Sequence, residues 1–407
     1  MNEKLNELCI KRDLVVILRG LANDGCFRML LHLIGSDSEK LSDFLADYSD
    51  FVSELYSTGN TDLSEHLLKI LLEDDNICIR TAAKGKPIPP EMQESLLHEL
   101  QFVQELSQLT PEDFLDEIDY DGYLPRWKTS PIDIPGSYSE RMRLIGKYGY
   151  GKFAANVMFT VDGGEAVPVK FPDPQRLSDL YGYERERQAV IRNTLALLEG
   201  RHAQNVLLYG DAGTGKSSTV KAVVNEFSDR GLRLIEITKD QLRDMPKIIG
   251  EISDDPLKFI IFIDDLSFAA GEDCFGALKA VLEGSAAARA DNMAIYATSN
   301  RRHLVKESFS DREGDDIHRN DTMQEMLSLS SRFGLRVNFS RPGKNDYTEI
   351  AKRLAQKKGI ELPGDEIALK AEQFAISSGN GRSPRTAKQF IHQLINELAA
   401  SSSQEAE

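Results

Sequence analysis

One uninterrupted stretch constrains this chain more than any other. The apolar run Asn205-Val206-Leu207-Leu208-Tyr209 leads into Gly210-Asp211-Ala212-Gly213-Thr214-Gly215-Lys216-Ser217, and a helical pattern follows from Ser218 to Phe227. The middle segment fits G-x-x-x-x-G-K-[ST] at every fixed position. Glycines let the backbone curl so that successive N–H groups converge on one anion, and the helix behind them offers its positive N-terminal end. A strand running in and a helix running out are what such a device needs. The expected phosphate-binding residues are therefore Gly210, Asp211, Ala212, Gly213, Thr214, Gly215, Lys216, Ser217 and Ser218. Lys216 is placed to reach β- and γ-phosphates, and Ser217 to set its hydroxyl on Mg2+.

A second motif follows some fifty residues on. Phe259-Ile260-Ile261-Phe262-Ile263 reads as a buried strand, and it ends in Asp264-Asp265. Asp264 is expected to hold Mg2+ through its water shell and Asp265 to polarise an attacking water; the plainer reading of Asp265 is a helix N-cap. From Leu177 onward helix and strand patterns alternate. Glu184–Leu198, Ser217–Asp229 and Lys239–Ile252 read as helices, and Leu232–Thr238, Met293–Thr298 and Leu335–Phe339 as further strands. Alternation with continuously apolar strands predicts an α/β core whose parallel sheet is covered on both faces. Three more helices, at about 345–358, 364–378 and 384–399, predict a small lid.

The two motifs together resemble the AAA+ P-loop ATPase superfamily over residues 177–398. The segments Leu207–Asp211, Ile263–Phe268 and Tyr296–Leu304 also resemble a bacterial AAA+ family classed as a domain of unknown function. What the resemblance implies is a P-loop NTPase core with a helical lid, ATP and Mg2+ as cofactors, and hydrolysis of ATP to ADP and phosphate. It further implies that Asn300 is the sensor-1 amide, that Arg332 is the arginine finger, with Arg336 and Arg302 as rivals, and that Arg385 is sensor 2, with Arg382 as its rival. Leu180-Tyr181-Gly182-Tyr183-Glu184 resembles the adenine-side loop. The second carboxylate departs from the commoner Asp-Glu ending. That leaves open a slow nucleotide-dependent switch, or a helicase loader or remodeller of nucleic acid, beside an oligomeric ATPase acting on an unidentified macromolecule.

At 407 residues the chain exceeds what one hydrophobic core usually serves. The expected division is an acidic all-α domain over 1–128, a connector with a β-hairpin over 129–176, the core over 177–340, the lid over 341–400 and a disordered tail over 401–407. The hairpin is read from Phe153–Val161 and Glu165–Phe171, joined by Asp162-Gly163-Gly164. Pro111–Asp121 reads as an acidic amphipathic helix, either solvated or a surface for a protein partner. Residues 1–125 hold 10 Lys/Arg against 25 Asp/Glu, so nearly all of the net charge of −16 lies there. Such acidity disfavours nucleic acid and anionic membrane as partners of this part. The apolar run Leu14–Leu18 is broken at Arg19, so no membrane span is expected, and Cys9, Cys26, Cys78 and Cys274 show no disulfide or zinc spacing. A cytoplasmic homo-oligomer is the expected setting.

Overall fold

The computed structural model describes residues 3–36, 40–115, 118, 120, 122–266, 274–283, 291–300 and 331–404. They divide into two units, Met1–Asn156 with Asp254–Pro256, and Val157–Ser253 with Leu257–Glu407.

In the second unit, strands β1 (Met158–Asp162), β2 (Glu165–Pro168), β3 (Val206–Gly210), β4 (Leu232–Glu236), β5 (Lys258–Ile263), β6 (Met293–Ser299) and β7 (Leu335–Phe339) form one sheet. Their order is β2-β1-β4-β5-β6-β3-β7. Every pairing is parallel except β1 with β2. Phe259 to Ile263 of β5 and Ala294 to Ala297 of β6 are fully buried, because helices cover both faces and leave no side for polar residues. This is the α/β core with a helical lid that the sequence led us to expect. The register aligns Tyr209 with Ser299 and Ile263 with Ala297, so the carboxyl ends of β3, β5 and β6 lie side by side. In open α/β sheets such ends are where ligands bind.

The lid comprises helices Lys344–Lys357, Gly364–Ser377 and Pro384–Gln404. They close on Tyr347, Ile350, Ile367, Phe390, Ile391 and Leu394, with Ala351, Ala371 and Ala387 letting the helices approach closely. The last helix runs to Gln404, past Ser401 where the tail was expected to be disordered.

The segment expected as a connector is not one. Ile134–Arg143 is a helix whose Ile134 and Tyr138 are buried in the first unit, and a short helix, Lys152–Ala155, replaces the start of the expected strand. The hairpin belongs to the main sheet, since Met158, Phe159 and Thr160 of β1 pair in parallel with Leu234, Ile235 and Glu236 of β4. Main-chain pairing with β4 outweighs the local impression of a free ribbon.

The first unit is helical, with Glu3–Arg12, Gly25–Ile34, Leu41–Ser57, Leu63–Leu72, Ile77–Ala83, Pro90–Ser107 and the short Pro111–Leu115 preceding residue 128. Asp24, Asp62 and Asn76 cap three of these helices with their side chains. Asp24 also lies 3.0 Å from His66 Nε2, and these two residues gather with Cys26, a grouping invisible in the chain spacing. Phe114 packs edge-on against Trp127, whose indole N–H donates to the Leu109 carbonyl at 2.7 Å. Phe114 and Ile118 of the acidic stretch thus face the unit's own core, while Glu112 is exposed and the half-buried Asp113 pairs with Lys4 at 2.6 Å. The buried carboxylate of Glu99 accepts the amides of Val16, Ile17 and Leu18 at 2.7–3.0 Å, which satisfies both the charge and a non-helical turn of backbone. No described helix is long and apolar enough to cross a membrane.

Candidate functional site

The loop after β3 is held by backbone that only glycine tolerates. Gly210 has φ +130°, and a Cβ there would lie 2.3 Å from the Phe339 carbonyl oxygen of β7. Gly213 (φ +79°) and Gly215 (φ +93°) turn the chain twice more, and the helix Lys216–Phe227 begins directly afterwards. Gly215 is its N-cap and brings no side chain to the first-turn amides, leaving them to an anion. Thr214 closes the loop by donating its hydroxyl to the Asp211 carbonyl at 2.8 Å.

Lys216 is buried in this loop. Its ammonium donates to the carbonyls of Gly210 (2.9 Å) and Asp211 (2.7 Å) and to Asn300 Oδ1 (3.0 Å). Burial pulls its pKa below the usual lysine value of 10.5, opposed by the carboxylates of Asp211, Asp265 and Asp264, while the charge of Arg385 adds to the depression.

The carboxyl ends of β5 and β6 complete the phosphate end. Ser217 donates its hydroxyl to Asp264 Oδ1 at 2.6 Å, and Asn300 Nδ2 donates to Asp265 Oδ1 at 2.8 Å. Asn300 therefore touches both Lys216 and Asp265. Asp265 adopts the left-handed region at φ +51°, where Asp and Asn are tolerated far better than longer side chains. Its backbone N–H donates to Thr298 Oγ1 at 2.9 Å, and Leu266 returns to the sheet by donating to the Thr298 carbonyl; residues 267–273, where a helix capped by Asp265 would start, lie outside the described residues. A hydroxyl and a carboxylate in contact beside open amides are a hard-oxygen donor set that fits Mg2+.

A cavity of about 550 Å³ extends from this end toward the lid. Ala212, Gly213, Thr214, Gly215, Lys216, Ser217 and Ser218 line it together with Asp264, Asp265 and Asn300. Gly210 and Asp211 stand behind the loop, where Asp211 accepts the Arg341 amide at 2.9 Å. Leu180, Tyr181 and Tyr183 line the far side opposite Ile350 and Leu354 of the lid, giving the cavity an apolar end of the kind a base needs. Arg385 reaches the cavity, and its amide donates to the Gly213 carbonyl at 3.2 Å. Its rival Arg382 instead forks onto Glu372, with Nε–Oε1 at 3.0 Å, inside the lid.

Arg332 is exposed just before β7 and does not line the cavity; Arg336 is likewise exposed, and Arg302 lies outside the described residues. Lys388, the end of a basic run from Arg382 that the sequence places near the phosphates, lines the cavity, whereas sequence reasoning missed Thr298, Arg187, Gln389 and His392, which line it too. The lid residues had a legible signal, since 385, 388, 389 and 392 fall on one helical face. Thr298 had none, because its neighbours depend on strand order.

The family model described as "Protein of unknown function (DUF815)" matches residues 152–398. A 26S proteasome regulatory subunit 4 homolog B from Arabidopsis thaliana is 40% identical over 68 residues, 16% of this chain and 15% of that protein. The replication factor C large subunit of Methanococcus maripaludis is 23% identical over 225 residues, 54% of this chain and 40% of its own length. The chain thus spans less than half the length of these curated relatives. Among solved structures, the Thermotoga maritima RuvB Holliday junction branch migration motor aligns at 16% identity with a TM-score of 0.37, covering 56% of this chain and 67% of that one. The matched span of the family model begins before the β1–β2 hairpin and ends within the last lid helix, so it holds the loop, both carboxylates and the lid, and the chain belongs to the DUF815 family.

Proposed function

We propose that this protein binds Mg-ATP in the cavity between core and lid and hydrolyses it, driving conformational change in a homo-oligomer that acts on a macromolecular target. The observation that carries this reading is the junction of Lys216, Asn300, Asp265, Asp264 and Ser217 at the ends of three adjacent strands. Lys216 exchanges its loop carbonyls for β- and γ-phosphate oxygens. Ser217 and Asp264 hold Mg2+, which supplies charge neutralisation on those phosphates when bound. Asn300 orients water and Asp265 takes its proton, while Arg385 carries the phosphate state to the lid. Arg332, exposed and off the cavity of its own chain, serves as the finger for a neighbouring subunit's site. The acidic helical region 1–128 receives a protein target in a cytoplasmic setting.

Release of phosphate by the purified protein, compared with a Lys216→Ala variant, tests the reading. Magnesium-dependent release that the variant loses by at least about 100-fold supports it, on the scale of removing a charge-stabilising group. Equal rates overturn it. One observation favours a second reading, a slow switch. The Asp265 carboxylate is tied to Asn300 on a left-handed residue, a geometry that restrains a general base. Tight binding with turnover below about one per minute would select it. The named relatives include both a proteasome subunit and a replication factor, so a helicase loader or nucleic-acid remodeller stays as a further alternative, tested by stimulation of turnover with DNA.

A further inference from the structure

Thr298 is the last-but-one residue of β6 and is 1% exposed. A threonine there would ordinarily be strand filler. Its hydroxyl, however, is fully committed to the two carboxylate-bearing residues that directly follow the neighbouring strand β5. It donates its one proton to Asp264 Oδ1 and accepts the Asp265 N–H at 2.9 Å. Ser217 donates to that same Asp264 oxygen. The oxygen thus receives two hydroxyls, one from the phosphate loop and one from β6, and its carboxylate is fixed from both sides. The Asp265 amide also approaches Asp264 Oδ1 at 3.2 Å, so the turn closes on itself around the Thr298 hydroxyl.

The backbone of Asp265 makes this contact consequential. At φ +51° it occupies a region that costs a non-glycine residue energy and persists only where surrounding structure holds it. What holds it here is Thr298 on the amide and Asn300 on the carboxylate. The same conformation accounts for aspartate at this position where glutamate is commoner, because short polar side chains are the ones enriched in the left-handed region.

We infer that Thr298 is a positioning residue for the metal site, orienting Asp264 toward Mg2+ and holding Asp265 in its left-handed turn. The inference rests on the nucleotide reading above and goes beyond it, since it assigns a role to a residue that neither loop motif contains. Outer-shell partners of this kind typically change metal affinity by about 10- to 100-fold when removed. Thr298→Val keeps the shape and deletes the hydroxyl, and Thr298→Ser keeps the hydroxyl.

The test measures ADP binding by calorimetry to the full chain across a series of MgCl2 concentrations, with EDTA as the metal-free arm. The expected result is that Thr298→Val raises the Mg2+ concentration for half-maximal enhancement by about tenfold or more, a larger effect than any on metal-free ADP binding, and that Thr298→Ser restores the wild-type curve. In an Asp264→Asn background the Thr298→Val change should add little, since the two act through one carboxylate. Should Thr298→Val fail to fold, Thr298→Ala carries the same comparison. A wild-type Mg2+ response in the hydroxyl-free variant overturns the inference, as does equal weakening with and without metal. If the wild-type protein itself shows no magnesium-dependent binding, the nucleotide reading falls first and this inference with it.

Discussion

Lys216 concentrates the chemistry of the site in one ammonium. Free of ligand, it is charged yet buried, and its pKa lies below 10.5 because burial outweighs the pull of Asp211, Asp265 and Asp264. The unfolded chain therefore binds more protons at this residue than the folded one, and the lysine's contribution to stability improves as pH rises toward 10.5. A phosphate against the ammonium favours the charged form, so nucleotide binding has the opposite sign. Mg-ATP affinity is expected to hold near neutrality and to fall as pH climbs toward 10.5, a decline absent from Lys216→Ala; calorimetric titrations across that interval check it. A flat wild-type profile would show that the ammonium does not meet the phosphates. At this scale the sequence was most legible where the site is contiguous. The loop from Gly210 to Ser217 needs only a strand before it and a helix behind it, and both were readable in the local pattern. Thr298 was not, because its meaning depends on β6 lying beside β5, which nothing local to either strand reveals.

Among the elements, the lid helix Pro384–Gln404 separates two arginines that the sequence left as rivals. Arg385 faces the cavity against Gly213, whereas Arg382 is bound to Glu372 of the neighbouring lid helix. Arg385→Ala is expected to weaken Mg-ATP binding by about tenfold or more, the scale of a charge-assisted hydrogen bond. Arg382→Ala, which removes a part-buried ion pair within the lid rather than a cavity group, should change binding by less than about twofold. A binding titration of both variants checks the split, and the reverse pattern would reassign sensor 2. The hairpin teaches a different lesson. Its turn, Asp162-Gly163-Gly164, is plain in the sequence, and β1 and β2 form as a ribbon should. Its place in the main sheet was hidden because β1 pairs with β4, a strand about seventy residues away. The segment before β1 reads as strand by its apolar content, yet Lys152-Phe153-Ala154-Ala155 forms a helical turn that buries Phe153, with alanines at positions where strands prefer branched residues.

For the molecule as a whole, the family match and the charge distribution divide the chain at nearly the same place. Residues 152–398 carry the family match, and the strongly acidic helices lie before it. The proposed assembly makes a claim that only the whole oligomer can test. Arg332→Ala should lose about 10³-fold or more in turnover while keeping nucleotide affinity, the scale of an arginine finger. Mixing it with Lys216→Ala should recover activity, because interfaces that set the loop of an Arg332→Ala subunit against the finger of a Lys216→Ala subunit are intact. A mixture no more active than its parts would confine the site to one chain. All of these expectations depend on the glycine loop gripping a nucleotide, and calorimetric titration of the folded full-length chain with Mg-ATP tests that most directly. The account requires saturable binding near one nucleotide per chain that Lys216→Ala weakens severely. Absence of binding by both ATP and ADP, with magnesium present and the fold verified by circular dichroism, would contradict it.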